Sequence, residues 1–100
     1  MEIDEKEIEK VFSTPARLRI MSALVSQPSV IFSDMMNSLN LTRGNLSSHI
    51  KLLESKEMIL VTKEFVKNRP QTTFSITKSG EQAFRNYVTM LEEIISSSKE

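Results

Sequence analysis

The sequence predicts a mainly α-helical α+β domain with a β-hairpin set before its last helix. Three observations carry this. Amphipathic stretches with helical spacing fill the first half of the chain. Two runs rich in β-branched and aromatic residues, "MILVTKEFV" and "QTTFSIT", follow them. A long helical stripe then closes the chain. One hundred residues without a repeat, a low-complexity tract or a linker is the length of one domain.

Ile3 to about Phe12 reads as a first helix, with Ile3, Ile8, Val11 and Phe12 near one face. "STP" restarts the chain, since Ser13 or Thr14 can cap a helix and Pro15 suits its first turn. "ARLRIMSALVS" is apolar around a wide arc, which suits a central helix packed on several sides. "QPS" ends it, because proline cannot continue the hydrogen-bond ladder. Val30-Ile31-Phe32 reads as a short extended piece, and Ser33 as the cap of "DMMNSL", with Asp34 at the positive end of that helix.

Asn40-Leu41 makes a tight turn, and Thr42 caps the following helix, whose Leu46, Ile50 and Leu53 repeat by four and three. "KNRP" joins the two extended runs into a hairpin, and Pro70 makes it an exposed two-stranded ribbon rather than a sheet centre. Thr77 caps "KSGEQAFRNYVTMLEEIISSS", whose Ala83, Phe84, Tyr87, Val88, Leu91, Ile94 and Ile95 form the closing stripe. The tight turn gives a helix-turn-helix, and the hairpin after it gives a wing.

Composition removes several chemistries. The chain has no cysteine, so disulfides, thiolate metal sites and cysteine nucleophiles are excluded. One histidine argues against a zinc site or a histidine-based triad. Glu92-Glu93 and Glu5/Glu9 read as solvated helix faces, and neither a Gly-x-Ser-x-Gly turn nor a glycine-rich phosphate loop is present. The six methionines read mostly as core filler. An enzyme is therefore not expected, nor a cofactor or metal. No apolar run approaches bilayer length and the N-terminus is acidic rather than signal-like, so a cytoplasmic location without a membrane partner is expected.

A net charge of zero conceals a pattern. Asn40 to Lys78 holds seven Lys/Arg (Arg43, Lys51, Lys56, Lys63, Lys67, Arg69 and Lys78) against three acids. The first ten residues hold five acids and two lysines, and four acids face two bases from Glu81 onward. A basic middle between acidic ends attracts polyanions.

The helix from Thr42 is where that charge meets small polar side chains. Opposite Leu46, Ile50 and Leu53 lie Arg43, Gly44, Ser47 and Lys51, flanked by Asn45 and Ser48. Gly44 costs roughly 1 kcal/mol of helix propensity relative to alanine, and close approach to a phosphate would justify it. Arg43 can fork onto guanine or phosphate, and Lys51 suits a phosphate. Lys63, Lys67, Asn68 and Arg69 cluster at the hairpin tip, where an arginine can enter a narrow minor groove. His49, beside Ile50 at the border of the apolar stripe, reads as a half-buried structural residue.

These stretches resemble the winged-helix DNA-binding domains of small bacterial and archaeal transcription regulators, near the MarR and ArsR groups. The resemblance runs from about Phe12 to Leu91, on "PARLRIMSAL", "LTRGNLSSHIKLLES" and "RPQTTFSITKSGEQAF". It implies a winged helix-turn-helix over 14–76, flanked by an N-terminal helix (1–12) and a C-terminal dimerisation helix (77–98). It places Arg43, Gly44, Asn45, Ser47, Ser48 and Lys51, with Thr42 at their start, on the DNA-facing side of a recognition helix. Asn68 and Arg69, with Lys63 and Lys67 nearby, fall on the wing. Ile3, Ile8, Phe84, Tyr87, Val88, Leu91, Ile94 and Ile95 would form the interface of a homodimer. One departure is Glu57 in "ESKEMI", where a glycine is common, which weakens the expectation of a left-handed helix end.

The resulting expectation is a homodimeric regulator of transcription that binds an inverted repeat in double-stranded DNA, as a repressor, since no second domain is there to recruit polymerase. The rival is a winged-helix module that binds protein rather than DNA, favoured by the zero net charge. A small-molecule effector, of unknown identity, would sit between the terminal helices and the winged unit.

Overall fold

A computed structural model describes residues 4–98; Ile3, expected at the dimer interface, lies outside them. Helix α1 spans Glu5–Phe12 and is capped by the Asp4 carboxylate, which accepts the Glu7 N–H at 2.9 Å. Helix α2 spans Pro15–Ser26. Thr14 stands at its N-cap in an extended conformation without a side-chain bond, while the Ser13 hydroxyl turns back to donate to the Lys10 carbonyl at 3.0 Å. Neither candidate hydroxyl therefore caps α2, and Pro15 alone shapes its entry.

Strand β1 is only Val30–Ile31, and helix α3 (Phe32–Ser38) follows without a break. This corrects two expectations. Phe32 is helical rather than extended, and Ser33 lies inside the helix rather than capping it. The cause is sheet pairing. Ile31 is held against Thr73, so the strand's last residue doubles as the extended N-cap.

Helix α4 spans Arg43–Ser55, strands β2 and β3 span Ile59–Val66 and Arg69–Ile76, and helix α5 spans Lys78–Ser98. The strands form a three-stranded antiparallel sheet in the order β1-β3-β2, so the hairpin is anchored at its base by a third strand that pairs Val30 with Phe74. The hairpin loop is Lys67 and Asn68 alone. Both have positive φ (53° and 63°), as a two-residue turn matched to strand twist requires. Arg69 and Pro70 thus belong to β3 rather than to the turn. Pro70 stands opposite Phe65, one step from the hydrogen-bonded Val66–Arg69 pair, where its missing N–H costs no ladder bond.

Two helix ends share one device. At the end of α3, Asn40 is left-handed (φ 54°), Leu41 N–H bonds the Met36 carbonyl and Asn40 N–H the Asn37 carbonyl. At the end of α4, Glu57 is left-handed (φ 59°), with Met58 N–H on Leu53 and Glu57 N–H on Glu54. Both are Schellman motifs. The left-handed end of α4 is thus made without glycine. Its compensation comes from α5: the Thr77 and Ser79 hydroxyls both donate to the Glu57 carbonyl, at 2.6 and 2.8 Å. Thr77 also accepts the Gly80 N–H at 2.9 Å, capping α5 as its sequence predicts.

The core is one cluster. Phe12, Ile20, Met21, Leu24, Met35, Leu46, Leu53, Met58 and Phe74 are all less than 2% exposed, and α2 packs against α1, α4, α5 and β3. Burying each large apolar side chain contributes roughly 1.5–3 kcal/mol. Among the described residues no helix is long and apolar enough to cross a membrane.

Candidate nucleic-acid interface

Helix α4 is oriented by its apolar stripe. Leu46 and Leu53 are fully buried and Ile50 nearly so, which turns the opposite face outward. The Thr42 hydroxyl accepts the Asn45 N–H at 3.1 Å and fixes the first turn. A Cβ on Gly44 would meet nothing within 4 Å, so the outer wall of this turn is low because the residue has no side chain, not because a neighbour crowds it.

Between that face and the hairpin lies an open groove of about 1070 Å³. Arg43, Ser47 and Lys51 line it from α4, and Lys63, Lys67 and Arg69 from the hairpin. These six of the sequence-derived residues are thus brought together. Thr42, Gly44, Asn45 and Ser48 are exposed along the flank of α4, and Asn68 holds the hairpin turn. Lys56, counted in the basic stretch, is drawn away: it pairs with Glu7 and ties α1 to the end of α4. The groove carries one carboxylate, Glu54, against five cationic side chains.

The groove is also lined by residues that the sequence does not mark for the site, Phe32, Ser33 and Thr72 among them. Phe32 shapes the site most. Its ring packs against Phe74 with centroids 5.7 Å apart, and the Arg43 guanidinium lies over it at 5.1 Å. A cation over an aromatic face is attracted by the ring quadrupole. Among the described residues Arg43 makes neither a hydrogen bond nor an ion pair, so its N–H groups remain available to a ligand.

His49 is half-buried on the other border of α4. Its Nδ1 lies 3.4 Å from Nη1 of Arg17, whose Nε donates to the Val11 carbonyl at 2.6 Å. Burial, and then the Arg17 charge, hold the imidazole pKa below its ordinary 6.5. The histidine therefore connects α4 to α2 and the end of α1, away from the groove.

The residues expected at a dimer interface divide. Ile8 is 5% exposed and packs within the protomer's own core. Phe84 and Tyr87 contact Phe12, with centroids at 6.1 and 5.4 Å. Leu91 is half-buried, and Val88, Ile94 and Ile95 are exposed. No group of three or more His, Cys, Asp or Glu able to hold a metal occurs among the described residues.

Residues 16–95 match a family model described as a winged helix DNA-binding domain. An uncharacterized protein of Methanocaldococcus jannaschii is 36% identical over 90 residues, covering 90% of this chain and 95% of the relative. The structure of a transcriptional regulator homologue from Pyrococcus horikoshii superposes with a TM-score of 0.85 at 33% identity, covering 95% of this chain and 96% of that one. The S. aureus MepR–DNA complex shares the fold, with a TM-score of 0.74 at 16% identity over 94% of this chain and 77% of the other.

Proposed function

The chain belongs to the winged-helix DNA-binding domain family, and from that premise we propose that it is a transcription regulator that binds specific sites in double-stranded DNA. One observation carries the reading: Arg43, Ser47 and Lys51 of α4 face the same groove as Lys63, Lys67 and Arg69 of the hairpin. A helix bearing short polar groups and an arginine suits the major groove, and a basic ribbon beside it suits the flanking phosphates and the minor groove. The transcriptional regulator homologue of P. horikoshii, similar over nearly the whole chain, supports the same assignment.

We place Thr42, Gly44, Asn45 and Ser48 along the DNA-facing flank of α4 and Asn68 at the wing tip. The residues of 14–76 form the reading unit. The segments 1–12 and 77–98 pair two copies of it, through Val88 and Leu91 of α5 among others. A two-fold dimer sets two recognition helices about one helical turn apart, so the operator is an inverted repeat. Occupying that operator represses the adjacent promoter by steric exclusion.

The test is capture of duplex fragments from a random-sequence pool by the purified protein, followed by titration with salt. The expected result is an enriched inverted repeat whose affinity falls steeply with salt, since each phosphate contact releases condensed counterions. Failure to retain duplex at low salt would overturn the reading and favour the rival in which this surface binds protein.

A further inference from the structure

We propose that Phe32 is a positioning residue for Arg43, and that the pair makes Arg43 a reader of guanine rather than a general phosphate contact. The inference rests on the DNA-binding reading above and deepens it. The sequence leaves Arg43 open to guanine or phosphate; its surroundings favour guanine. Its guanidinium lies 5.1 Å from the Phe32 ring centroid. Phe32 is itself fixed, packed at 52° and 5.7 Å against Phe74, which is 1% exposed at the centre of the sheet. The arginine is therefore referenced, through two rings, to the rigid part of the fold.

The chemical consequence follows from the shape of the group. A cation held over a ring is bound through the ring quadrupole and spends no N–H hydrogen bond on it. No hydrogen bond or ion pair claims the Arg43 fork among the described residues, and Glu54, the carboxylate of the groove, makes no ion pair with it. An unpaired fork anchored beside the outer face of α4 matches the O6 and N7 acceptors of guanine in the major groove. Lys51, Lys63 and Lys67 line the same groove as flexible point charges, which suit phosphates. Phe32 thus separates the one directional cation of α4 from the charges that only hold the backbone. Its position at the first residue of α3, directly after the sheet-paired Ile31, brings the ring from the preceding helix to the recognition helix.

The test compares wild type, Arg43→Ala, Phe32→Leu and Phe32→Tyr on duplexes selected from a random pool, each variant first checked for cooperative unfolding. Arg43→Ala is expected to relax one guanine position in each half-site. Replacing that guanine by 7-deazaguanine should cost wild type about tenfold in affinity. Phe32→Leu should bind the 7-deaza duplex and the natural duplex with nearly equal affinity. Phe32→Tyr, which keeps the ring, should restore the discrimination. In the protein without DNA, the ring current should shift the Arg43 side-chain protons upfield in wild type and Phe32→Tyr but not in Phe32→Leu, a readout available even for a variant that binds weakly. Full discrimination by a folded Phe32→Leu, an Arg43-dependent position that is not guanine, or an unshifted Arg43 would each overturn the inference while leaving DNA binding intact. A wild type that retains no duplex would instead overturn the reading on which it rests.

Discussion

A Cβ placed on Gly80 would lie 2.0 Å from the carbonyl oxygen of Met58. The first turn of α5 therefore touches the backbone of the turn that ends α4. Met58 also accepts the Thr77 N–H at 3.1 Å, and Thr77 and Ser79 cover the Glu57 carbonyl next to it. "ITKSGE" is the sequence of this joint: threonine caps, serine bridges and glycine lets the backbones meet. It ties the end of α4 to the start of α5.

Gly80→Ala should therefore destabilise the fold although alanine favours helices. Its helix propensity gain is about 1 kcal/mol. The methyl group meets backbone, which cannot yield as a side chain can, and forcing it in costs typically 1–3 kcal/mol and sometimes more. A net loss of up to about 2 kcal/mol, or a melting temperature lower by up to about 16 °C, is expected in thermal unfolding. An unchanged melting temperature would show that the joint can open without cost.

Glu57→Gly should act in the opposite direction. Glutamate at φ 59° carries a left-handed backbone, which costs a non-glycine residue roughly 1–2 kcal/mol. Glycine removes that cost but loses more entropy on folding, by roughly 0.5–1 kcal/mol. A net gain of about 0.5–1 kcal/mol is expected, read as a higher urea midpoint at unchanged m-value. A lower midpoint would mean that the Glu57 side chain contributes something beyond its backbone conformation.

The sequence made some of this legible because the signals are local. Thr42 and Thr77 stand where helical spacing begins, and both cap. Leu46, Ile50 and Leu53 repeat by four and three, and all three are buried. Ser33 misled because local pattern cannot see that Ile31 is committed to Thr73, more than forty positions away. Pairing across the chain likewise set the hairpin register, which moved Arg69 and Pro70 out of the turn. Lys56 belongs to the basic stretch by sequence, but its pairing with Glu7 lies across the chain. Phe32 reads as an extended residue, and nothing in its neighbours announces that it carries an arginine on its face.

The two arginines of the groove should separate by kind of loss. Arg43→Ala should cost about 1–3 kcal/mol on the selected duplex and relax one base position. Arg69→Ala should weaken every duplex alike and lower the salt slope by about one. Binding measured at several fixed salt concentrations, on selected and unselected duplex, distinguishes them. Equal affinity of either variant and wild type throughout would remove that residue from the interface.

His49 should give a stability difference that depends on pH with a definite sign. Burial and Arg17 hold its folded pKa below 6.5, so the folded state favours the neutral ring and the unfolded state takes up the proton first. Its contribution is complete above about pH 6.5 and is lost as pH falls through that value towards the lower folded pKa. Compared with His49→Gln, wild type should therefore lose stability faster between pH 7.5 and 5, roughly the range in which histidine titrates. The carboxylates titrate in both proteins and cancel in the difference. Parallel melting curves for the two proteins over that range would show that Arg17 and burial do not bias this imidazole.

Helix α5, at twenty-one residues, extends past the core it closes. Phe84 and Tyr87 are spent on Phe12 within the protomer, whereas Val88 is 37% exposed one turn further on and Leu91 is half-buried. A charge at Val88 falls outside the buried cluster, so Val88→Asp should leave the protomer's melting largely intact. In a two-fold interface the same substitution occurs on both partners and sets two unpaired carboxylates in apolar contact. Sedimentation at tens of micromolar should then show a dimer for wild type and a monomer for Val88→Asp. The monomer should bind a single half-site as wild-type protomers do but lose the gain from joining two of them, because linking two sites on one duplex raises avidity only while the subunits remain paired. A wild-type monomer at that concentration, or a Val88→Asp variant that keeps the full inverted-repeat affinity, would remove α5 from the interface and with it the argument for a two-fold operator.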